Sequence, residues 1–198
     1  MTVQTYIYVV EGLNLGHLDD IPSHVKKAAF RAVNRTTERA RTKSGRAIRQ
    51  EVALPARYLS GEEGRLQMSN PASASRLERT ITGRRRPTSL ARYKTGGSTQ
   101  KGLRVTVTPG VASYIKRGFL IPLKGAGGGL SNLGLAMRTP DGKPPRGALK
   151  PKMIGEGLYL LYGLSVDVLF RRVLGPLTPE VSDDLVTEFT RLLDLDGI

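Results

Sequence analysis

The chain has 198 residues, enough for one domain with a core of its own, and 31 lysines and arginines against 17 acids give it a formal net charge of +14. It contains no cysteine, which excludes disulfides and thiolate metal centres, and no apolar run approaches the roughly 20 residues of a membrane span. The first residues show no charged stretch followed by an apolar one, so no secretory signal is expected, and the cytosol or a particle assembled there is the expected location. The charge is divided unevenly: residues 1–150 hold 27 basic and 9 acidic side chains, residues 151–198 hold 4 and 8. A basic body with an acidic C-terminal piece points to a polyanionic partner, or to contact between copies of the chain.

In chain order, Thr5 to Val10 is β-branched and aromatic and reads as a strand. After a connection to Pro22, the segment Ser23 to Gln50 reads as one long helix, with Ser23 as its N-cap and Pro55 as the stop beyond it. Its small apolar residues (Val25, Ala28, Ala29, Ala32, Val33, Ala40, Ala47 and Ile48) recur at steps of three and four and form one narrow seam. The rest of its surface carries Lys26, Lys27, Arg31, Arg35, Arg39, Arg41, Lys43, Arg46 and Arg49, against the single acid Glu38. A hairpin is expected from Arg65–Met68 and Leu77–Thr82, turning near Asn70–Ser73.

Residues 83–102, with Arg84-Arg85-Arg86-Pro87 followed by Ser, Thr, Gly and Lys, read as an exposed arm or long loop. The alternation of Leu103, Val105 and Val107 with Arg104, Thr106 and Thr108 marks a strand, and Tyr114 to Leu123 reads as its partner across Pro109-Gly110. Residues 124–151 are Gly- and Pro-rich and read as a second long loop, interrupted by a short strand at Leu135–Arg138. Two C-terminal helices are expected. The first is Ser165–Leu174, closed by Gly175-Pro176; the second starts at Thr178-Pro179 and carries Val181, Leu185, Phe189 and Leu192 on one face. The class is therefore α+β: one long N-terminal helix on a small, mostly antiparallel sheet, two C-terminal helices, and extended arms.

Catalytic and metal patterns do not emerge. His17 and His24 lie seven apart across a proline and would need Asp19 or Asp20 to complete a metal site. The glycines at 125–129 lack both phosphate-loop and dinucleotide spacing, and in Gly97–Gly102 the residue at the lysine position is Leu103. Glu62-Glu63 and Asp183-Asp184 read as solvated pairs, the latter favouring a helix N-terminus. No enzyme activity, metal or cofactor is expected.

Four segments resemble the phage minor tail protein Z family, the tail-completion proteins of lambda-like phages. Ala28-Ala29-Phe30-Arg31-Ala32-Val33-Asn34-Arg35-Thr36 is similar to that family's "A-x-x-x-A-I-N-R" helix opening, and Arg84 to Tyr93 resembles its "R-P-T-S-L-A-R-F" signature. Gly118-Phe119-Leu120-Ile121 with Gly134-Leu135-Ala136-Met137-Arg138 forms the third match. Leu161 to Phe170 is similar to "L-Y-G-P-S-V-D-x-V-F", with Leu164 where proline is usual, a departure that bears on where the helix starts.

The resemblance spans about residues 20–190 and implies a single tail-completion-type domain over 1–198. It implies a structural virion protein at the head-proximal end of a phage tail, completing the tail, joining it to the capsid and seating the genome end. Its expected neighbours are portal, adaptor, terminator or tail-tube proteins, and copies of itself in a ring of six or twelve.

Joined to the charge pattern, this makes Lys26, Lys27, Arg31, Arg35, Arg39, Lys43, Arg46 and Arg49 the candidate contacts for genomic double-stranded DNA, through phosphates rather than bases, since few aromatics interleave with them. Arg84, Arg85, Arg86, Arg92, Lys94, Asp183, Asp184 and Glu188 are the candidate partner-docking residues, with the acidic ones facing the basic body of a neighbouring copy. Docking on acidic protein surfaces stands beside DNA contact as a reading of the helix. A non-specific DNA-binding protein acting outside the virion is the alternative for the whole chain.

Overall fold

The computed structural model describes residues 21–60, 64–99, 102–123, 133–146 and 151–195. The expected strand at Thr5–Val10 and the possible metal ligands His17, Asp19 and Asp20 lie outside them. Helix α1 runs Ser23–Glu51. Pro22, with φ −52° and ψ 142°, holds the cap position, and its carbonyl accepts from the Lys26 amide at 3.1 Å. Ser23 is thus the first helical residue rather than the cap, because the extended proline already presents the carbonyl that starts the ladder.

The buried residues of α1 are Ala28, Ala32, Thr36, Ala40, Ser44 and Ile48, an unbroken series of fours. At about 100° per residue each step of four advances the row by roughly 40°, so it winds about 200° around the helix from Ala28 to Ile48. The two ends of α1 therefore face different neighbours. Ala28 and Ala32 pack against Leu192, while Ala40 and Ile48 join the main core with Leu54, Leu59 and Leu66. The row includes four of the eight residues of the expected seam; Thr36 and Ser44 are the additions.

The C-terminal segment is one helix, α3, over Val166–Leu195, with Pro176 and Pro179 inside it. This corrects the expectation of two helices separated at Gly175-Pro176. Val166, Asp167, Leu169, Phe170, Val173, Val181, Glu188 and Leu192 are all buried, and at about 100° per residue they share an arc of roughly 160° that continues through the break. Both prolines are exposed and lie outside that arc, and the carbonyls they leave without amide partners belong to the exposed Arg172 and Gly175. Core packing along the inner face keeps the helix whole. α1 and α3 run antiparallel and pack chiefly on each other, so the long helix lies on a helix and not mainly on a sheet.

Among the described residues all strand pairs are antiparallel. The expected hairpin forms from β1 (Leu66–Met68) and β2 (Ile81–Gly83), with the short helix α2 (Ala56–Leu59) before it. β3 (Pro87–Ser89) leads through a single 3-10 turn at Leu90–Tyr93 into β4 (Lys94–Thr99), which pairs with β5 (Gly102–Thr106). Thr88, Ala91 and Tyr93 are buried, so the segment expected as an exposed arm is structural. The Ser89 hydroxyl accepts from the Ala91 amide at 3.3 Å and fixes the turn that drives Ala91 and Tyr93 inward.

The expected single strand Tyr114–Leu123 is two. β6 (Ala112–Lys116) pairs with β5, and β7 (Gly118–Pro122) pairs with β8 (Leu133–Arg138) in another sheet. The chain changes sheets at Arg117, whose φ of 60° ends the extended run. Central to the larger sheet is β10 (Leu158–Ser165), which takes β8 on one side and β9 (Lys152–Gly155), then β3, on the other. Its Leu158-Tyr159-Leu160-Leu161 run is apolar without alternation and buried from Tyr159 to Leu161, the pattern of a strand covered on both faces. Residues 124–132 and 147–150 of the expected second loop lie outside the described residues.

Candidate polyanion-binding face

Apart from the half-buried Arg41, the basic residues of α1 fall into two sets. One set faces α3. Glu188, 2% exposed, receives the Arg35 Nη1 at 2.8 Å and the Arg39 Nη2 at 3.3 Å, and Arg191 of its own helix donates to both carboxylate oxygens. The Arg191 and Arg35 hydrogen bonds hold the Glu188 carboxyl down to about 2, from an ordinary value of 4.5. The cover over Glu188 includes these arginine side chains, themselves about half exposed at 46%, 51% and 45%, so the carboxylate sits beneath a guanidinium canopy. One turn further on, Lys43 pairs with Asp184 and with Glu180 at 2.9 Å, and Asp184 first, then Glu180, raises its pKa.

Three of the expected DNA contacts (Arg35, Arg39 and Lys43) are therefore engaged inside the molecule, with two of the expected docking acids, Asp184 and Glu188. The opposite charges of the two ends of the sequence meet within one chain along the α1–α3 seam. Asp183 is exposed and stands apart from that ladder. The second set on α1 comprises Arg46 and Arg49, exposed near its C-terminal end, and the half-buried Lys26 and Arg31 near its start, with the exposed Lys27 beside them. Among the described residues, no carboxylate pairs with Lys26, Arg31, Arg46 or Arg49.

The same helix clamps the hairpin. The Asn34 side-chain amide donates to the Ala72 carbonyl at 3.0 Å and its oxygen accepts from the Ala72 amide at 2.8 Å. Arg79 donates to the Asn34 carbonyl at 3.3 Å and pairs with Glu38 at 3.0 Å. A cleft of about 370 Å³ lies between α1, α3 and this hairpin, lined by Thr36, Ala40, Ile81, Phe170 and Val181 among others.

The candidate docking arginines follow β2, where the Arg84 carbonyl accepts from the Asp167 amide at the start of α3 at 3.1 Å. Arg85 and Arg86 are exposed between β2 and β3, and Lys94 is half-buried at the start of β4. Arg92 stands over the Tyr58 ring with its guanidinium carbon 5.2 Å from the centroid, and Arg65 reaches the same ring at 5.9 Å. The backbone ties these positions together: the Arg65 amide donates to the Tyr58 carbonyl at 2.9 Å and the Arg84 amide to the Arg65 carbonyl at 2.8 Å. Burial lowers the Arg92 pKa; Tyr58 opposes that shift, while the nearby Arg65, Arg84 and Arg57 charges reinforce it. Sequence reasoning found Arg84 and Arg92 but missed Arg57, Tyr58 and Arg65, which lie 27 to 35 positions before Arg92 and share no periodic pattern with it.

The four segments that carry the family resemblance converge. Gly163 pairs with Thr88 and Tyr162 with Ser89, so the second and fourth segments are neighbouring strands. Leu161 pairs with Leu135 and Phe119 with Ala136, which sets the third beside the fourth. The first lies on α3, the continuation of the fourth. Comparisons with protein-family models, curated proteins and solved structures give no match to this chain. Among the described residues no helix is long and apolar enough to cross a membrane.

Proposed function

We propose that this chain is a structural component of a tailed-phage particle, at the head-proximal end of the tail, where it completes the tail and joins it to the capsid. The observation that carries the reading is the convergence of the four resembling segments. Separated by tens of residues, the second, third and fourth assemble into the strand order β3-β10-β8-β7, and the first packs on the α3 helix that the fourth begins.

Charge supports the reading. The α3 acids facing α1 are paired within the chain, and Lys26, Arg31, Arg46, Arg49, Arg85 and Arg86 remain for a polyanion or an acidic neighbour. Copies of the chain in a ring of six or twelve would present these groups repeatedly around a channel, where non-specific phosphate contacts seat a genome end without reading its sequence. Acting outside the particle as a non-specific DNA-binding protein is the alternative, motivated by the same charge.

Electron microscopy of purified particles labelled with an antibody to the chain separates the two. Label at the head–tail junction is the expected result. A chain absent from particles and recovered with host DNA would leave the alternative standing.

A further inference from the structure

We propose that Arg57, Arg65, Arg84 and Arg92 form a phosphate-binding site built around Tyr58. Four separate stretches of chain supply it: α2, the residue before β1, the residue after β2, and the 3-10 turn. Two consecutive backbone hydrogen bonds, from Arg65 to Tyr58 and from Arg84 to Arg65, hold three of its positions in register, and the Tyr58 ring lies beneath the guanidinium groups of Arg65 and Arg92.

Like charges gathered this way repel, and among the described residues no carboxylate pairs with Arg57, Arg65 or Arg84. The buried Nε of Arg65 has no hydrogen-bond partner, which leaves a polar cost unmet beside the cluster. A carboxylate is planar and is filled by one or two guanidinium forks. Arginines supplied by four chain segments around one ring suit the tetrahedral phosphate better than a planar carboxylate, and guanidinium is the side chain matched to that group. The ligand is therefore a phosphate group, carried by a nucleic-acid backbone or free in solution. The proposal deepens the functional reading by naming a phosphate contact, but binding by the isolated chain is measured independently of whether the chain is found in particles.

The experiment uses the full chain, a labelled 12-base-pair duplex, pyrophosphate and polyglutamate, at near-physiological salt. Arg57→Gln, Arg65→Gln and Arg84→Gln are each expected to weaken duplex binding about tenfold, with Lys143→Gln and Lys152→Gln as equally charge-reducing controls that leave it nearly unchanged. Arg57 is exposed, so its variant tests the site even where Arg65→Gln or Arg84→Gln unfolds. Saturable pyrophosphate binding lost in these variants supports the site; a duplex that binds tighter than pyrophosphate identifies the backbone as the source, and the reverse order identifies free phosphate. Equal losses in the controls, or polyglutamate binding as tightly as duplex, would overturn the proposal. So would a duplex that binds only after Glu62→Gln and Glu63→Gln, because the cluster would then belong to the chain's own acids.

Discussion

Arg35 and Glu188, 153 positions apart, meet at 2.8 Å across the seam between α1 and α3. Arg39 and Arg191 complete the ring of donors, and the carboxylate they surround is buried. Removing one partner of such a group leaves the rest uncompensated, so the pair holds the helices in register whatever its net contribution.

A pH dependence follows. The folded-state pKa of Glu188 is depressed to about 2, so its contribution is present in full above the ordinary 4.5 and is lost as pH falls from there toward 2. Glu188→Gln keeps the shape and removes the charge. Urea titrations should show the variant about 2 kcal/mol less stable at pH 7, with the difference from the parent shrinking as the solution is acidified through that window. Two denaturation curves separated by a constant gap at every pH would disprove the role.

Asn34 makes a different prediction. Its amide satisfies both backbone groups of Ala72, and Asn34→Ala leaves them to find water. The cost should be about 1–2 kcal/mol, and the amides of the Asn70–Arg76 turn should exchange faster with solvent than those of β1 and β2. Unchanged protection at Ala72 in a hydrogen-exchange experiment would show that the clamp is dispensable.

Gly83 ends β2 where the chain passes the start of α3. A methyl group there would lie 2.7 Å from the Asp167 Cα and 2.8 Å from its amide nitrogen, and the Asp167 amide already donates to the Arg84 carbonyl at 3.1 Å. Since backbone cannot turn aside as a side chain can, Gly83→Ala should cost about 1–3 kcal/mol. Thermal unfolding measures this directly; Gly45→Ala on α1, where an added methyl meets nothing within 4 Å, is the control and should hold or raise the melting temperature.

The α+β class, the long helix, the hairpin and the β5 strand were legible because each rests on periodicity or turn chemistry within a short window. Besides the arm at 83–102 and the split strand at 114–123, three features were not. The α3 helix runs through Pro176 and Pro179 because packing on its inner face outweighs two lost amide donors, a balance that local propensity does not contain. β10 has no alternation to read, since Tyr159 to Leu161 are buried together. Thr36 and Ser44 continue the buried row of α1 although their side chains are polar, so a search for apolar spacing passes them by. At the site, charge density on α1 was plain from the sequence, but which cations α3 would neutralise depended on an antiparallel pairing that joins residues more than 130 positions apart.

That pairing divides the basic helix, and the division is testable. Arg35 and Arg39 are tied to Glu188, so Arg35→Gln and Arg39→Gln should lower stability while leaving the salt dependence of DNA binding close to that of the parent. Arg46 and Arg49 are exposed and carry no internal ion pair among the described residues. Replacing both with glutamine should change stability by no more than about 0.5 kcal/mol. If they touch phosphates, each should also reduce the slope of log affinity against log salt by about 0.9. Duplexes of unrelated sequence should respond alike, because phosphate contacts position the helix without reading bases. The measurement belongs near physiological salt, where the weak attraction of any basic protein for DNA is largely screened. A double variant of Arg46 and Arg49 with the parental slope would remove α1 from the DNA interface and leave its outer face to an acidic protein neighbour.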